Sequence, residues 1–267
     1  MKVAIFPDLH VGITQESTAR LVAEKLRAEA PDVIVLAGDL GEPLPRFEQA
    51  LDLFADVDCA VAVLAGNHDV WNRFEIETSE ELWNGRLPGA VRDRGFVWLE
   101  EENIVAHGTA VVGTIGWYDY SAKPPEFAHK DDEVMFRTKK VFNNDGNYID
   151  WPWTDVEFAG MVGASFVQRM EAANADPAVH EIIVVTHVPV FPEQASRQPG
   201  NNPRAAAYFG NWSLGRVIEQ YDKVAHVFSG HTHDGVAAVH VTPRGRGIPC
   251  TTVGSDYGAP RYAVWGE

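Results

Sequence analysis

The residues best suited to chemistry in this chain are Asp8, His10, Asp39, Asn67, His187, His231 and His233. They occur as Asp8-Leu9-His10, Gly38-Asp39, Gly66-Asn67-His68-Asp69, His187 by itself, and Gly230-His231-Thr232-His233. Carboxylate and amide oxygens together with imidazole nitrogens suit borderline divalent metals, and the absence of a thiolate argues against a structural zinc site. The set is too large for one tetrahedral ion, whereas two ions sharing a bridging carboxylate would use all of it. Asp39, in a tight Gly-Asp turn, is the natural bridge. Two ions at about 3.5–4 Å can hold a water between them, lower its pKa toward neutral, and clamp the attacking and leaving oxygens of an in-line displacement. Phosphoester hydrolysis most needs this, because its uncatalysed barrier is high and its catalysis rests on positioning and electrostatics. The expected nucleophile is a hydroxide bridging the two metals.

Each of these groups follows a short apolar run, at 3–6, 33–36, 59–64, 182–185 and 224–228, which reads as a strand buried on both faces. A strand that stops being hydrophobic and at once presents a carboxylate or an imidazole delivers it to the crevice at the sheet's end. Pro7 cannot donate to a ladder, so pairing stops as Asp8 and His10 enter the site, on one side of the chain if it stays extended. Helical spacing at 17–30 and 47–54 between these runs predicts a mostly parallel sheet with helices outside. Runs at 96–99, 103–106 and 110–115 predict a three-stranded meander in a second, more antiparallel sheet, closed by strands at 236–241, 250–253 and 262–265. Thr154 and Glu157 form a capping-box pattern opening a helix with Phe158, Met161, Val162, Phe166 and Met170 on one face.

In this order the signals resemble the calcineurin-like metallophosphoesterase superfamily, and the resemblance runs from Asp8 to His233. It implies an α/β fold, a four-layer αββα sandwich of two mixed sheets flanked by helices, with 1–267 as a single domain. It also implies a metal-dependent phosphoester hydrolase, either a phosphodiesterase or a phosphomonoesterase. Two divalent ions follow, with manganese, iron or zinc as the first choices. The resemblance assigns Asp8, His10, Asp39 and His233 to the first ion, and Asp39, Asn67, His187 and His231 to the second.

His68 stands beside a ligand without being one, and is the expected general acid for the leaving alkoxide, with Asp69 fixing its tautomer. Specificity is expected in two loops. The irregular stretch 116–153 carries Trp117 and Tyr118 as candidate substrate contacts, and reads either as a lid or as a satellite core. The polar loop 193–204 carries Arg197 and Arg204, which would suit phosphate oxygens. His107, His129, His180, His226 and His240 are read as structural.

The formal charge of -16, from 22 Lys+Arg against 38 Asp+Glu, opposes binding to a polyanion, so no nucleic acid partner is expected and a nuclease is disfavoured. A small phosphoester is the expected partner. The first strand follows Met1-Lys2 directly and no apolar run nears a membrane span, so a soluble cytoplasmic protein is expected, with Cys59 and Cys250 as free thiols. A non-catalytic scaffold is the competing class, although it would have no need of the complete ligand set.

Overall fold

The computed structural model describes residues 1–74, 76–195 and 203–266. Its first sheet has the order β11-β1-β2-β3-β4, built from β1 (Val3–Phe6), β2 (Val33–Ala37), β3 (Ala60–Leu64), β4 (Val97–Trp98) and β11 (Ala263–Trp265). The second has the order β5-β6-β7-β8-β10-β9, built from β5 (Ile104–Ala106), β6 (Thr109–Thr114), β7 (Glu181–Thr186), β8 (Val224–Ser229), β9 (Val236–Val241) and β10 (Gly247–Thr252). Both sheets are mixed, and the strands that end in chemistry pair in parallel with one another, β1 with β2, β2 with β3, and β7 with β8.

Strand alternation sorts the core into three layers. Val3, Ile5, Val33 and Val35 face Val111, Ile183, Val185 and Phe228 between the sheets. The alternate residues Ala4, Phe6, Ile34 and Leu36 pack outward against α1 (Glu16–Ala28) and α2 (Leu44–Asp52), through Ala19, Ala23, Leu26, Phe47 and Leu51. Short helix α3 (Ser79–Glu81) runs through a π-helical turn into α4 (Leu87–Asp93), which adds Leu87 and Val91 to that layer. Helices α5 (Asp132–Phe142) and α6 (Asp145–Tyr148) follow, and then α7 (Asp155–Ala175), which joins α8 (Trp212–Ile218) in covering the far face of the second sheet. The order from outside to outside is helices, sheet, sheet, helices, the expected αββα sandwich.

Helix α7 opens on the capping box read from the sequence, with Thr154 N donating to Glu157 Oε2 at 2.8 Å and Glu157 N to Thr154 Oγ1 at 3.3 Å. Phe158, Val162, Phe166 and Met170 are buried along it, each worth about 1.5–3 kcal/mol of apolar burial. Met161, at the edge of that stripe, is 42% exposed.

Two strand expectations are corrected. The runs near 96–115 do not form one meander: β4 pairs in parallel with β3 in the first sheet, and only β5 and β6 form an antiparallel pair in the second. The turn at residues 99–102 therefore crosses between sheets. Likewise β11 does not close the second sheet but pairs antiparallel with β1, Val3 opposite Trp265, and so covers an edge of the first sheet. No described helix is long and apolar enough to cross a membrane.

Candidate metal centre

The loops after β1 and β2 are joined by backbone hydrogen bonds, Asp8 N to Gly38 O at 2.9 Å, His10 N to Asp39 O at 2.9 Å and Val11 N to Leu40 O at 2.8 Å. The chain does not stay extended here. Asp8, His10 and Asp39 all take left-handed backbone angles, φ 53°, 47° and 54°, as do His231 at 69° and His233 at 60°. Such conformations cost energy in non-glycine residues and persist only where surrounding bonds hold them. They turn side chains at the sheet ends inward from both sheets.

Close approach of backbones is the second device. A Cβ on Gly38, itself at φ 87°, would lie 2.6 Å from Gly66 N and 2.7 Å from His187 Nδ1. A Cβ on Gly66 would overlap the Asp39 carboxylate, and one on Gly230 would come within 2.5 Å of Asp8 Oδ2. These glycines let three strand ends crowd around two carboxylates.

Two clusters result, and they share one residue. Asp8, His10, Asp39 and His233 bring one ligand atom each to within 4.8 Å of one another, and so do Asp39, His187 and His231. Asn67 belongs to the second group, since its Oδ1 is 3.1 Å from His187 Nε2 and 3.0 Å from His231 Nδ1.

The donors in the second cluster can be worked out atom by atom. His187 Nδ1 lies 3.1 Å from the Ala37 carbonyl, which can only accept, so Nδ1 carries a proton and Nε2 faces Asn67 and, at 3.4 Å, Asp39 Oδ2. His231 Nε2 lies 3.3 Å from the Tyr208 carbonyl, leaving the Nδ1 lone pair toward Asn67. The amide end of Asn67 is turned the other way, with Nδ2 donating to Asp145 Oδ1 at 2.9 Å. Ligand atoms of Asp39, Asn67, His187 and His231 thus converge on one point, an arrangement that suits a cation. In the first cluster His10 Nε2 is buried without a hydrogen-bond partner among the described residues, 3.7 Å from Asp39 Oδ2. Both clusters fit a divalent ion.

The electrostatics agree. Burial pushes the Asp8 carboxyl up to about 7, against the pull of His187. Burial also lowers His10 to about 3 and, with His187 beside it, His231 to about 4, so both rings are held as neutral ligands. Burial opposes charge on His187 and Asp39, but their mutual attraction outweighs it, raising His187 to about 9 and holding Asp39 well below the usual carboxylate range. A proton on His187 stands where a metal would replace it.

His68 lies at the rim, 12% exposed, with Nε2 toward the centre at 4.0 Å from Asp39 Oδ2. Its ring stacks on Trp71 at 3.7 Å. The structure corrects its expected partner. Asp69 does not touch the His68 ring; it accepts from Leu40 N at 2.8 Å, Gly41 N at 3.1 Å and Gly66 N at 2.8 Å, and ties the second and third loops together. The carboxylate facing His68 Nδ1 is Glu42, at 4.0 Å, itself 3.3 Å from Arg73. Burial raises the Glu42 carboxyl. Its position three residues beyond Asp39 was the only sequence signal for it.

Trp117 and Tyr118 do not line the crevice over the clusters. Both are fully buried in the core, Trp117 Nε1 donating to Asp155 at 2.9 Å and Tyr118 Oη to Asp145 at 2.9 Å. Arg197 lies outside the described residues, as does the side chain of Arg204. The crevice over the two clusters holds about 380 Å³, and its walls include Ile13, Trp71, Arg73, Phe142, Phe209 and Tyr257, none of them singled out from the sequence as site residues. Tyr257 packs its ring 4.5 Å from that of His10 and 4.6 Å from that of His233. His226 Nε2 lies 3.0 Å from Thr251 Oγ1, and His240 is held between Glu193 at 3.0 Å and Glu219 at 2.9 Å.

Comparison with known proteins gives the same picture. No curated protein sequence matches this one. Among solved structures, phosphopantetheinyl hydrolase from Mycobacterium tuberculosis matches with a TM-score of 0.74 at 19% identity, over 98% of this chain and 95% of its own. A dimetal phosphatase from Danio rerio matches at 0.54 and 16% identity, over 99% and 91%. The protein TT1561 of Thermus thermophilus matches at 0.56 and 10%, over 96% and 90%. At these identities the likeness is one of fold. The family model for calcineurin-like phosphoesterases, however, matches residues 1–235, a span that includes every residue of both clusters. This chain belongs to the calcineurin-like phosphoesterase family and is a metal-dependent phosphoester hydrolase.

Proposed function

We propose that the chain hydrolyses a small soluble phosphoester in the crevice over Asp39, with His68 as the general acid. The observation that carries this is the convergence of lone pairs on two points that share Asp39, with a rim imidazole on the same side. When bound, two divalent ions supply the Lewis acidity that activates a water and neutralises the phosphoryl oxygens. Asp8, His10, Asp39 and His233 would hold the first, and Asp39, Asn67, His187 and His231 the second.

The remaining chemistry falls to the chain's own side chains. With both ring nitrogens of His68 protonated, Nε2 gives its proton to the leaving oxygen while Nδ1 keeps its own toward Glu42, whose carboxylate steadies the imidazolium. The Trp71 stack sets the plane of the ring, and the Arg73 guanidinium holds Glu42 in place. Glu42 acts through His68 and is therefore a positioning residue. A crevice of about 380 Å³ has the size of a small-molecule site. A formal charge of -16 is consistent with a small substrate in place of nucleic acid.

The test is hydrolysis of p-nitrophenyl phosphate and bis-p-nitrophenyl phosphate after Mn2+ reconstitution, with Asp39→Asn as the blank. A diester preference lost in the variant supports a diesterase, and a phosphopantetheinyl ester is then the first natural candidate, because the structure matching at 0.74 carries that name. Monoester preference points to sugar, nucleotide or protein phosphates. No turnover above the blank with any of several metals would overturn the reading.

A further inference from the structure

Asn67 can serve the second cluster only if its oxygen, and not its amide nitrogen, faces the ion. What sets that choice comes from the stretch 116–153. Asp145, at the start of α6, is fully buried and accepts three hydrogen bonds, from Asn67 Nδ2 at 2.9 Å and Trp71 Nε1 at 2.7 Å on Oδ1, and from Tyr118 Oη at 2.9 Å on Oδ2. A carboxylate can only accept, so Asn67 must donate to it and present its oxygen inward. All three donors are neutral. Among the described residues no lysine, arginine or histidine forms an ion pair with Asp145, whereas the comparable buried Asp155, which gathers Trp117 and Tyr120, is paired with Lys139 Nζ at 2.7 Å.

A buried carboxylate without a cation is costly, and its compensation must come from a positive charge nearby. One amide separates Asp145 from the point where lone pairs of Asp39, Asn67, His187 and His231 meet. We propose that Asp145 is the positioning residue of the second ion: it orients Asn67 as a ligand and supplies the buried negative charge that the ion neutralises. The same oxygen holds the Trp71 indole that stacks on His68, so α6 steadies both a metal ligand and the platform of the acid. The stretch 116–153 therefore acts on the site from behind, as a buttress of the second ion. Tyr208 adds to this from the other side, its carbonyl facing His231 Nε2 at 3.3 Å and its hydroxyl donating to Met135 O of α5 at 2.9 Å. Partners that orient metal ligands typically change metal affinity about 10- to 100-fold when removed.

This rests on the two-ion reading above, and the experiment separates the two. The full chain is stripped with chelator and titrated with Mn2+, free and bound ion being counted by electron paramagnetic resonance. Asp145→Asn keeps the size and one acceptor but removes the charge. Tyr118→Phe removes one donor to Asp145 and serves if the first variant does not fold. Tyr120→Phe removes the matching hydroxyl on Asp155 and is the control. The expected result is two ions per chain in the wild type, second-ion affinity about 10- to 100-fold weaker in Asp145→Asn and a few-fold weaker in Tyr118→Phe, and no change in Tyr120→Phe or at the first site. Wild-type second-ion affinity in Asp145→Asn, or in Tyr118→Phe where that stands in for it, would overturn the proposal. So would an equal loss in Tyr118→Phe and Tyr120→Phe. Fewer than two ions in the wild type would overturn the two-ion site itself.

Discussion

His68 Nδ1 stands 4.0 Å from Glu42 Oε2, and both atoms are buried without a hydrogen-bond partner among the described residues. If His68 is the acid proposed above, this pair is expected to close on substrate binding, since catalytic hydrogen bonds are often long beforehand.

Replacement of His68 by Ala should cost about 10²- to 10⁴-fold in kcat with alkyl leaving groups and much less with p-nitrophenolate, which needs no proton. Glu42→Gln should reproduce a fraction of that loss, about 10-fold, with the same dependence on the leaving group. Rates across a series of aryl and alkyl esters check this. Equal losses for good and poor leaving groups would remove His68 from the acid's role.

Asp39 is common to both ligand clusters, so its replacement should differ in kind from that of a ligand in one cluster. Asp39→Asn should lower the occupancy of both ions, and His10→Ala that of one. Metal analysis after dialysis against a fixed free Mn2+ concentration decides it. Added Mn2+ should also raise the unfolding midpoint of the wild type, by about 2.7 kcal/mol of stability for each site at a hundredfold excess over its Kd. That shift should shrink in Asp39→Asn.

Gly66 has ordinary backbone angles but no room, because a Cβ there would overlap Asp39. Gly66→Ala should therefore push Asp39 out of its shared position, costing about 1–3 kcal/mol and the tight binding of both ions. Chemical denaturation and Mn2+ titration of the same sample would show it. A variant as stable and as tightly metallated as the wild type would mean that the loop relaxes without moving Asp39.

Glu100 provides a pH dependence remote from the ligands. It is 6% exposed, and burial raises its carboxyl to about 7, although Arg169 and the hydrogen bonds from Ile115 N and Thr114 Oγ1 pull the other way. An acid whose pKa is raised in the folded state holds its proton more tightly there than when unfolded. Its favourable contribution is present below about 4.5 and is lost as pH rises to about 7. The loss is about 3 kcal/mol, taken at 1.36 kcal/mol per unit. Glu100→Gln should flatten that part of the stability profile in urea unfolding between about pH 5 and 7. An unchanged slope would show that Glu100 stays ionised throughout.

Much of the site was legible along the chain. Strand runs followed at once by Asp8, Asp39, Asn67, His187 and His231 mark ligands because a buried parallel strand is apolar along its length and a strand end is where polarity can begin. The same logic located most of the sheet strands, and the Thr154 and Glu157 spacing located the capping box of α7. Sheet membership was not legible for β4 and β11, since a short apolar strand carries no label for the edge it will join, and only the three-dimensional arrangement of free edges decides.

Partnerships between side chains were also decided by tertiary structure. Proximity in sequence favoured Asp69 as the partner of His68, but a residue one step along a 3-10 turn points elsewhere, and Asp69 bonds three backbone amides while Glu42 reaches the imidazole. Trp117 and Tyr118 lie in an irregular stretch that reads equally as a lid or as a satellite core. Folding buries them beside Asp145 and Asp155, because their polar tips find carboxylates in the core. The sequence by itself determined which residue types arrive at the strand ends, and hence the metal chemistry, because that follows from local pattern. Which carboxylate serves which imidazole, and that residues 116–153 brace the site from behind, follow from contacts between residues far apart in the chain, and these exist only once it is folded.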